Sequence, residues 1–229
     1  MISILFEDDY LILVDKPAMV LSQPSIRANN NVKWPIKELI EQQRPDLNGK
    51  LFLHHRLDYE TSGVFLMSKS TSANKSLTEM FTQHSFHKVY RCLTNPHALK
   101  PGKKVVCEIK NDQCWKINNY MAPAHGTKQK RMISVKSGKW PAETDFTILS
   151  SNDKFHYIEA VPKTGRTHQI RQHLQESHRS ILGDIIYGGK SDEAPRLMLH
   201  AFRLNFTHPQ TKEKLNIEAP LPPDFQELL

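Results

Sequence analysis

The densest cluster of reactive side chains in the chain is His54-His55-Arg56-Leu57-Asp58-Tyr59-Glu60-Thr61-Ser62-Gly63, followed at once by Val64-Phe65-Leu66-Met67. The apolar run predicts a buried strand, and the polar residues before it predict a turn rich in reactive groups. A carboxylate there could act as a nucleophile or base, although an aspartate that only hydrogen-bonds its own turn is the commoner case. Asp58 and Glu60 could form the acid and base pair of a glycosidase, but two carboxylates this close together on one turn give that pair little support.

The chain on both sides of this turn predicts a mixed α+β fold. Apolar residues at helical spacing predict helices over residues 35–43, 71–84 and 167–177. Alternating, β-branched and aromatic patterns predict strands over residues 2–6, 10–14, 64–67, 88–93, 145–149, 155–161 and 199–206. Strands outnumber helices and do not alternate strictly with them, which favours a mixed sheet over a doubly wound parallel one.

Residues 99–137 have the weakest pattern. Lysines are frequent, few apolar residues fall in register, and Trp115 stands isolated among polar neighbours. We therefore expect a loop-rich insertion. Its basic run, Lys128-Gln129-Lys130-Arg131, could contact phosphates, although a solvated charged surface is the commoner role of such a run.

Composition limits the class of protein and of partner. The 229 residues, 38% of them hydrophobic, suffice for one domain with a sizeable core. Lys and Arg number 31 against 24 Asp and Glu, and the net charge of +7 favours a polyanionic partner without identifying it.

The cysteines and the amino terminus bear on the cellular compartment. Cys92, Cys107 and Cys114 are odd in number and lack CxxC spacing, so they support neither a disulfide framework nor a zinc knuckle. A cytoplasmic location fits best. Residues 1–17 are apolar for only a few positions at a time, and no other segment approaches membrane-spanning length, so we expect no membrane partner.

Several motifs occur together in one order. HRLDYETSG, residues 55–63, resembles the signature HRLDxxTSG of the RluA-type pseudouridine synthases, which modify uridines in ribosomal and transfer RNA. Lys88-Val89-Tyr90 resembles the family's second motif, and PKTGRTHQIRQHL, residues 162–174, resembles its third. ILGD at 181–184, YG at 187–188 and LMLHA at 197–201 continue the match. Weaker agreement at the opening, centre and end extends the resemblance over most of the chain.

The resemblance implies a pseudouridine synthase catalytic fold, with a mixed, largely antiparallel sheet flanked by helices and loops. It also implies an isomerase that flips specific uridines out of structured RNA and converts them to pseudouridine. Asp58 would be the nucleophilic carboxylate, with Arg171 as its paired cation. Tyr90 would stack on the flipped base and assist proton transfer, and Leu199 would line the opposite side of the pocket.

Other residues are candidates for RNA contact. Arg56 would fill the gap left by the extruded uridine, because a guanidinium can stack like a base and also hydrogen-bond RNA. A structural role in the turn is the alternative for Arg56. Arg166, His168 and Gln169 lie near the start of the third predicted helix, where exposed amides and cations suit phosphate binding, with packing as the alternative.

No cofactor or metal is expected. The isomerisation is redox-neutral, and the chain has no P-loop or dinucleotide-binding fingerprint. His54 with His55, and His168 with His173, lack the four-residue helical spacing that aims two imidazoles at one ion.

The resemblance is weaker on the substrate than on the reaction. Met19 stands where the family often has glycine, and residues 111–126 match poorly. The chain begins directly at the catalytic domain, so we expect a single domain over residues 1–229 without the S4-type RNA-binding domain of several relatives. The expected partner is RNA, as a stem-loop of 23S rRNA, tRNA or both, with no DNA partner and a monomeric state. A non-catalytic RNA-binding or RNA-folding protein on the same scaffold is the alternative function.

Overall fold

Residues 1–24, 34–103, 105–109, 113–124, 131–189 and 194–229 are described in a computed structural model of the protein. They belong to two units: unit 1 comprises Met1–Lys88 and His200–Pro222, and unit 2 comprises Val89–Leu199 and Pro223–Leu229. Each unit has its own strands and core. One catalytic domain over residues 1–229 stays a prediction.

Strands make up most of the regular structure in this described part of the chain. The strands are β1 Ser3–Glu7, β2 Leu11–Lys16, β3 Phe52–Leu53, β4 Ser62–Ser68, β5 His87–Thr94, β6 Val106–Ile109, β7 Cys114–Pro123, β8 Met132–Val135, β9 Pro141–Ser151, β10 His156–Pro162, β11 Leu199–Thr207 and β12 Lys214–Glu218. The helices are α1 Ile36–Gln43, α2 Thr71–Thr82, α3 Gln169–Glu176 and α4 Pro223–Gln226, with a 3-10 turn at Pro45–Leu47.

The sheet of unit 1 is mixed. β2 pairs antiparallel with both β1 and β4, and β3 adds antiparallel to β4. β11 runs parallel to β4, with His200 opposite Ser62 and Ala201 opposite Gly63, and β12 pairs antiparallel with β11. Every residue of β4 is buried, which is the pattern expected of a central strand with a continuous apolar run.

Helix α2 packs against the core of unit 1. Ser70 caps its start, because the Ser70 Oγ accepts a backbone N–H of the first turn at 3.2 Å. Ala73 and Leu77 are four residues apart, so they share one face and are buried together. The helix ends at Thr82, two residues before the predicted end, because His84 has a φ of 57° and leaves the helical path.

The sheet of unit 2 is antiparallel. Its strands pair in the order β5, β10, β9, β7 and β6, and β8 pairs with the end of β7. Helix α3 lies on one face, where His173 Nδ1 is 2.9 Å from Thr144 Oγ1 and His173 Nε2 is 3.0 Å from Asn119 Oδ1. An amide oxygen only accepts hydrogen bonds, so Nε2 carries the proton. Burial lowers the pKa of His173 to about 3, and the ring is neutral at physiological pH.

The expectation of a loop-rich insertion over residues 99–137 is wrong. The described part of that stretch contains β6, β7 and β8. The buried residues of β7 alternate along the strand: Trp115, Ile117, Asn119 and Met121. Trp115 is not isolated, because its ring stacks on Phe146 with the centroids 5.1 Å apart. Asn119 hides the alternation in the sequence, since a polar residue occupies a core position and bonds to His173.

All three predicted helices and all seven predicted strands are present, with ends that shift by a few residues. α3 begins at Gln169 rather than at residue 167, because the residue before it, His168, adopts a left-handed φ of 54°. The predicted α+β class with a mixed, largely antiparallel sheet is confirmed. Among the described residues, no helix combines the length and apolar character needed to cross a membrane.

Candidate active site

His55 anchors the signature turn of unit 1 to the strand that follows it. Its Nε2 accepts the Leu66 N–H at 3.0 Å, so the ring proton resides on Nδ1. The ring stacks on Phe81 at 4.8 Å and tilts against Phe65 at 4.5 Å. Burial lowers the pKa of His55 to about 3, with the Lys88 ammonium as a smaller cause. His55 is therefore a neutral packing residue rather than a proton donor.

Hydrogen bonds hold the backbone of Leu57 and Tyr59, the two neighbours of Asp58. Leu57 is buried and exchanges two hydrogen bonds with Ser22, whose Oγ accepts the Leu57 N–H at 2.9 Å and donates to the Leu57 carbonyl at 2.7 Å. Lys16 is fully buried, and its Nζ donates to the Tyr59 carbonyl at 3.4 Å and to two carbonyls of residues 17–20 at 3.0 and 2.8 Å. The backbone around Asp58 is thus held from both sides.

The end of the signature joins β4 to β11. Ser62 Oγ lies 2.9 Å from His200 Nδ1. Gly63 has a φ of 111°, and a Cβ at this position would lie 2.2 Å from the Ala201 carbonyl oxygen. Only glycine fits both the backbone conformation and the close approach of the two parallel strands.

These contacts divide the signature into two groups. The residues that pack are His55, Leu57 and residues 61–63. Arg56 is exposed, and Asp58 and Glu60 are half-buried. The Asp58 backbone carbonyl accepts the Thr61 N–H at 3.1 Å, which closes the turn. The packed residues shape the turn, and Arg56, Asp58 and Glu60 have side chains that a substrate can reach.

In unit 2, Asp184 binds Arg171 along one edge of its guanidinium. Nε donates to Oδ2 and Nη2 donates to Oδ1, both at 2.8 Å. The Arg171 side chain is 2% exposed and that of Asp184 is 0% exposed. Asp184 Oδ1 also accepts the backbone N–H groups of Ile186 and Tyr187 at 3.1 Å. Two parallel bonds to a carboxylate that is itself fixed leave the guanidinium one orientation.

Tyr187 links Arg171 to the start of α3. The guanidinium carbons of Arg171 and Arg131 lie 5.4 and 5.2 Å from the centroid of its ring. Its hydroxyl accepts the Met132 N–H at 2.8 Å, donates to the Met132 carbonyl at 3.2 Å and lies 3.2 Å from His168 Nδ1. Burial raises the pKa of Tyr187 to about 12, so the hydroxyl keeps its proton. Arg131 ends the basic run, whose other three residues lie outside the described residues.

Gln169 holds the loop before α3. Its side chain is buried, and its Oε1 accepts the Thr164 hydroxyl at 2.7 Å and the Arg166 N–H at 3.0 Å. Its Nε2 donates to two oxygens of β9 at 2.9 and 3.0 Å. With four bonds inside unit 2, the geometry of Gln169 fits the packing alternative. Arg166 is half-buried, and its Nε donates to the Pro141 carbonyl at 3.0 Å.

The remaining predicted site residues also have definite places. Tyr90 is half-buried on β5, opposite Ala160 of β10, and Leu199 is buried as the first residue of β11. Asp58 belongs to unit 1, whereas Tyr90, Arg171 and Leu199 belong to unit 2. The pairing of Arg171 with Asp58 therefore stays a prediction.

Asp184 and Ser22 were not among the predicted site residues. A signal existed for Asp184, which stands in the apolar run Ile-Leu-Gly-Asp-Ile-Ile, because a carboxylate buried in such a run requires a cation. Ser22 offered no signal, because it is 35 residues from Leu57 in the sequence and only the fold brings the two together. Within the described residues, no three His, Cys, Asp or Glu side chains are grouped so that they could hold a metal ion.

Comparisons with known proteins agree with these motifs. The chain is 34% identical to ribosomal large subunit pseudouridine synthase C of Pasteurella multocida, over 99% of this chain and 66% of the relative. It is 31% identical to ribosomal large subunit pseudouridine synthase D of Neisseria meningitidis, over 100% of this chain and 60% of the relative. The chain thus spans about three fifths to two thirds of the length of these relatives.

Solved structures show the same fold. Human RNA pseudouridylate synthase domain containing 1 superposes with a TM-score of 0.76 at 23% identity, over 100% of this chain and 86% of that one. Human RNA pseudouridylate synthase domain containing 4 gives 0.70 at 24% identity, over 99% and 91%. The RNA pseudouridylate synthase family model matches residues 10–176. The resemblance to the RluA-type enzymes is confirmed, and this chain belongs to the RNA pseudouridylate synthase family.

Proposed function

We propose that this chain converts uridine to pseudouridine in structured RNA, with Asp58 as the nucleophilic carboxylate. The observation that carries the proposal is the signature turn, which is hydrogen-bonded on both sides of Asp58 while the Asp58 side chain stays half-buried. A carboxylate on a fixed turn is positioned before the substrate binds, which lowers the entropic part of the barrier. Family membership supplies the class of reaction.

In the proposed reaction, the bond between ribose C1′ and uracil N1 breaks, and a bond between C1′ and C5 forms. The C5 hydrogen leaves as a proton and N1 ends protonated, so electrons and atoms balance without an oxidant, a reductant or a cofactor. The base must leave its stack to reach Asp58. Base flipping therefore precedes the chemistry, at a cost of about a few kcal/mol in lost stacking and pairing.

Arg171 is proposed as the cation that keeps the Asp58 carboxylate ionised when bound RNA removes water. Desolvation alone would raise the pKa of a carboxyl group, and a nearby guanidinium opposes that change. The bidentate grip of Asp184 on Nε and Nη2 supports this role, because it sets the direction of the guanidinium before RNA binds.

The other site residues keep the roles that the family resemblance gives them, as part of the proposal. Tyr90 would stack on the flipped uracil with the accessible part of its ring, and Leu199 would form an apolar wall. Arg56 is exposed, as a side chain that enters an RNA helix must be. Arg166 and His168 lie in the loop that leads into α3 and suit contacts with phosphate.

Ribosomal RNA of the large subunit is the first substrate to test, because the names of the two relatives specify that subunit. A tRNA stem-loop is the second. We place the protein in the cytoplasm as a monomer, and its three free cysteines support a reducing compartment.

The test is tritium release from RNA that carries tritium at uracil C5, with 23S rRNA and tRNA pools as substrates. Wild type is expected to release tritium, and Asp58→Asn is expected to release none above background. Glu60→Gln is the matched control, because it removes a half-buried carboxylate two residues away in the same turn. It should retain most of its turnover, because the amide keeps the size of the side chain and no step of the proposed reaction uses this carboxylate.

Two outcomes would contradict the proposal. Equal loss in Asp58→Asn and Glu60→Gln would mean that the turn needs negative charge rather than one nucleophile. RNA binding by folded wild type without tritium release from either pool would favour the non-catalytic RNA-binding alternative. Circular dichroism of all three proteins tests whether a difference in turnover comes from unfolding.

A further inference from the structure

The turn between β8 and β9 presents a tryptophan among lysines. Residues 136–140, Lys-Ser-Gly-Lys-Trp, are all exposed, and Trp140 is 42% exposed. Burial of a tryptophan side chain contributes more to stability than burial of smaller residues, so an indole with this much surface in water leaves a large part of that contribution unused. Tryptophan is enriched at binding surfaces for that reason.

Backbone hydrogen bonds fix the place of Trp140 in unit 2. The Met121 N–H donates to the Trp140 carbonyl at 2.9 Å, which extends the β7–β9 ladder by one residue beyond Pro141. Side chains alternate across a sheet, so Trp140 lies on the side of the buried residues Met121 and Ala142, the face that α3 covers. Tyr120 pairs with Pro141 and lies on the opposite face.

Three cations lie next to this position in the sequence or through a hydrogen bond. Lys136 and Lys139 are two residues of the turn itself, and Arg166 bonds through Nε to the Pro141 carbonyl next to Trp140. Within the described residues, none of these three cations forms an ion pair. The carboxylates of the adjacent strand β9 already have partners, since Glu143 pairs with Lys116 at 3.5 Å and Asp145 pairs with Lys163 at 3.1 Å.

The same surface lies close to Arg171 along the chain and in space. The Arg166 N–H bonds to the Gln169 side chain at 3.0 Å, and the Gln169 N–H bonds to the Arg166 carbonyl at 3.1 Å, so the loop is a tight turn into α3. A helix rises about 1.5 Å per residue, which puts Arg171 about 3 Å along the axis from Gln169. An RNA segment of a few nucleotides that contacts Arg166 and the turn at residues 136–140 therefore lies near the start of the helix that carries Arg171.

We propose that Trp140 is a stacking platform for an unpaired base of the RNA, a few nucleotides from the target uridine, and that Lys136, Lys139 and Arg166 bind the flanking phosphates. An indole that offers its face and cations that lack carboxylates are the combination that recognises single-stranded RNA. The inference rests on the proposed function and adds a determinant of which uridine is selected. The loop context of the target, rather than its stem alone, is then read by unit 2.

Equilibrium binding tests the platform apart from turnover. The probe is 23S rRNA transcribed in vitro, and the background is Asp58→Asn with Trp34→Phe, which removes the other exposed tryptophan and leaves buried Trp115 as a constant signal. RNA is expected to quench the Trp140 emission. Trp140→Ala in the Asp58→Asn background should raise Kd by about 5- to 150-fold, the effect of losing one base stack. Tyr120→Ala is the matched control, because Tyr120 is 39% exposed at the same end of the sheet on its other face, and its Kd should stay within about twofold.

The salt dependence of Kd tests the contribution of Lys136 and Lys139. Lys136→Gln with Lys139→Gln should reduce the slope of log Kd against log salt by about 1.4, the value for two phosphates on a single strand. Lys100→Gln with Lys154→Gln removes the same charge from exposed positions elsewhere in unit 2 and should leave the slope unchanged. In the enzyme with intact Asp58, Trp140→Ala should raise KM for 23S rRNA by the same factor as Kd, with little change in kcat.

Each result separates the platform from the proposed function. Quenching by RNA together with no tritium release by wild type would support the platform and overturn the isomerase. Normal release by wild type together with an unchanged Kd and no quenching would overturn the platform alone.

Discussion

Replacing Asp184 by Asn tests whether the buried pair with Arg171 is the main support of that guanidinium. The Asp184 carboxylate is completely buried and accepts four hydrogen bonds, two from Arg171 at 2.8 Å and two from backbone N–H groups at 3.1 Å. Asn keeps the shape and one acceptor. The substitution removes the charge and replaces one carboxylate oxygen by an NH₂ group, which cannot accept a hydrogen bond. That group must face either Arg171 or the two backbone N–H groups, so at least one of these donors loses its acceptor.

The expected loss follows from burial. Removing one partner of a buried ion pair leaves an uncompensated charge and costs roughly 3–5 kcal/mol. That is a large part of the roughly 5–15 kcal/mol that stabilises a folded protein. For a chain of this size about 1 kcal/mol shifts Tm by about 2–4 °C, so Asp184→Asn should lower Tm by roughly 6–20 °C.

Urea unfolding and thermal melting followed by circular dichroism measure the loss, and a second pair in unit 2 is the control. Arg196 and Asp224 form the same bidentate arrangement, with Nε–Oδ2 at 2.5 Å and Nη2–Oδ1 at 2.8 Å, but the Asp224 side chain is 27% exposed. Water can replace the lost bonds there, so Asp224→Asn should cost about 1 kcal/mol. Equal losses in the two variants would refute the reasoning from burial.

A paired replacement separates stability from catalysis. Arg171→Met with Asp184→Asn removes both charges, and the amide oxygen can still accept the backbone N–H groups of Ile186 and Tyr187, so no buried charge is left without a partner. The double variant should recover most of the stability that Asp184→Asn loses. It should still lack tritium release, because the proposed cation for Asp58 is gone. Recovery of turnover with stability would remove Arg171 from the mechanism.

Two further predictions concern buried groups that fix the fold. Because burial lowers the folded-state pKa of His173 to about 3, the unfolded chain alone binds that proton below about pH 6.5, and stability falls by about 1.4 kcal/mol per pH unit as pH decreases through this window. Urea unfolding between about pH 4 and about pH 6 gives the slope of the free energy of unfolding against pH. His173→Gln should reduce that slope by about 1.4 kcal/mol per pH unit, and an unchanged slope would contradict the neutral buried ring. Gly63→Ala should cost roughly 3 kcal/mol or more in urea unfolding, since its Cβ would meet the Ala201 carbonyl at 2.2 Å. Gly49 has a φ of 73° and open space around it, so Gly49→Ala should cost only about 1–2 kcal/mol. Similar losses at the two glycines would show that the close approach of β4 and β11 is not what requires glycine.

The sequence predicted the elements that carry their own pattern. β4 has an unbroken apolar run and α2 has an apolar stripe at helical spacing, and both appear where the pattern places them. The sequence did not predict β7, because its inward positions include Asn119, whose amide oxygen is hydrogen-bonded to His173 of α3. A polar residue is tolerated in a core when a distant side chain satisfies it, and local periodicity carries no trace of such a partner.

For the candidate site, the signature motif indicates Asp58 and Arg56 and the third motif indicates Arg171, and the roles of all three stay predictions. Their supports were not predictable, because Ser22 lies 35 residues from Leu57 and the pairing of Asp184 with Arg171 joins a helix to a later loop. Sequence motifs indicate reactive side chains, whereas the side chains that orient them are distant in the sequence and come close only in the folded protein.

The division of the signature also explains what a motif match means. His55, Leu57 and Gly63 are constrained by a ring stack, a pair of hydrogen bonds and a close strand contact, and none of these contacts requires a reaction. A protein that lost catalysis would still need them to build the same turn, so most of the signature is evidence for the fold. The catalytic inference rests on Asp58, which is only half-buried, in a turn whose backbone Lys16 and Ser22 hold through Tyr59 and Leu57. Asp58→Asn keeps the size of the side chain and should fold and melt like wild type, and loss of turnover on saturating RNA at an unchanged Tm is the result that a catalytic role produces.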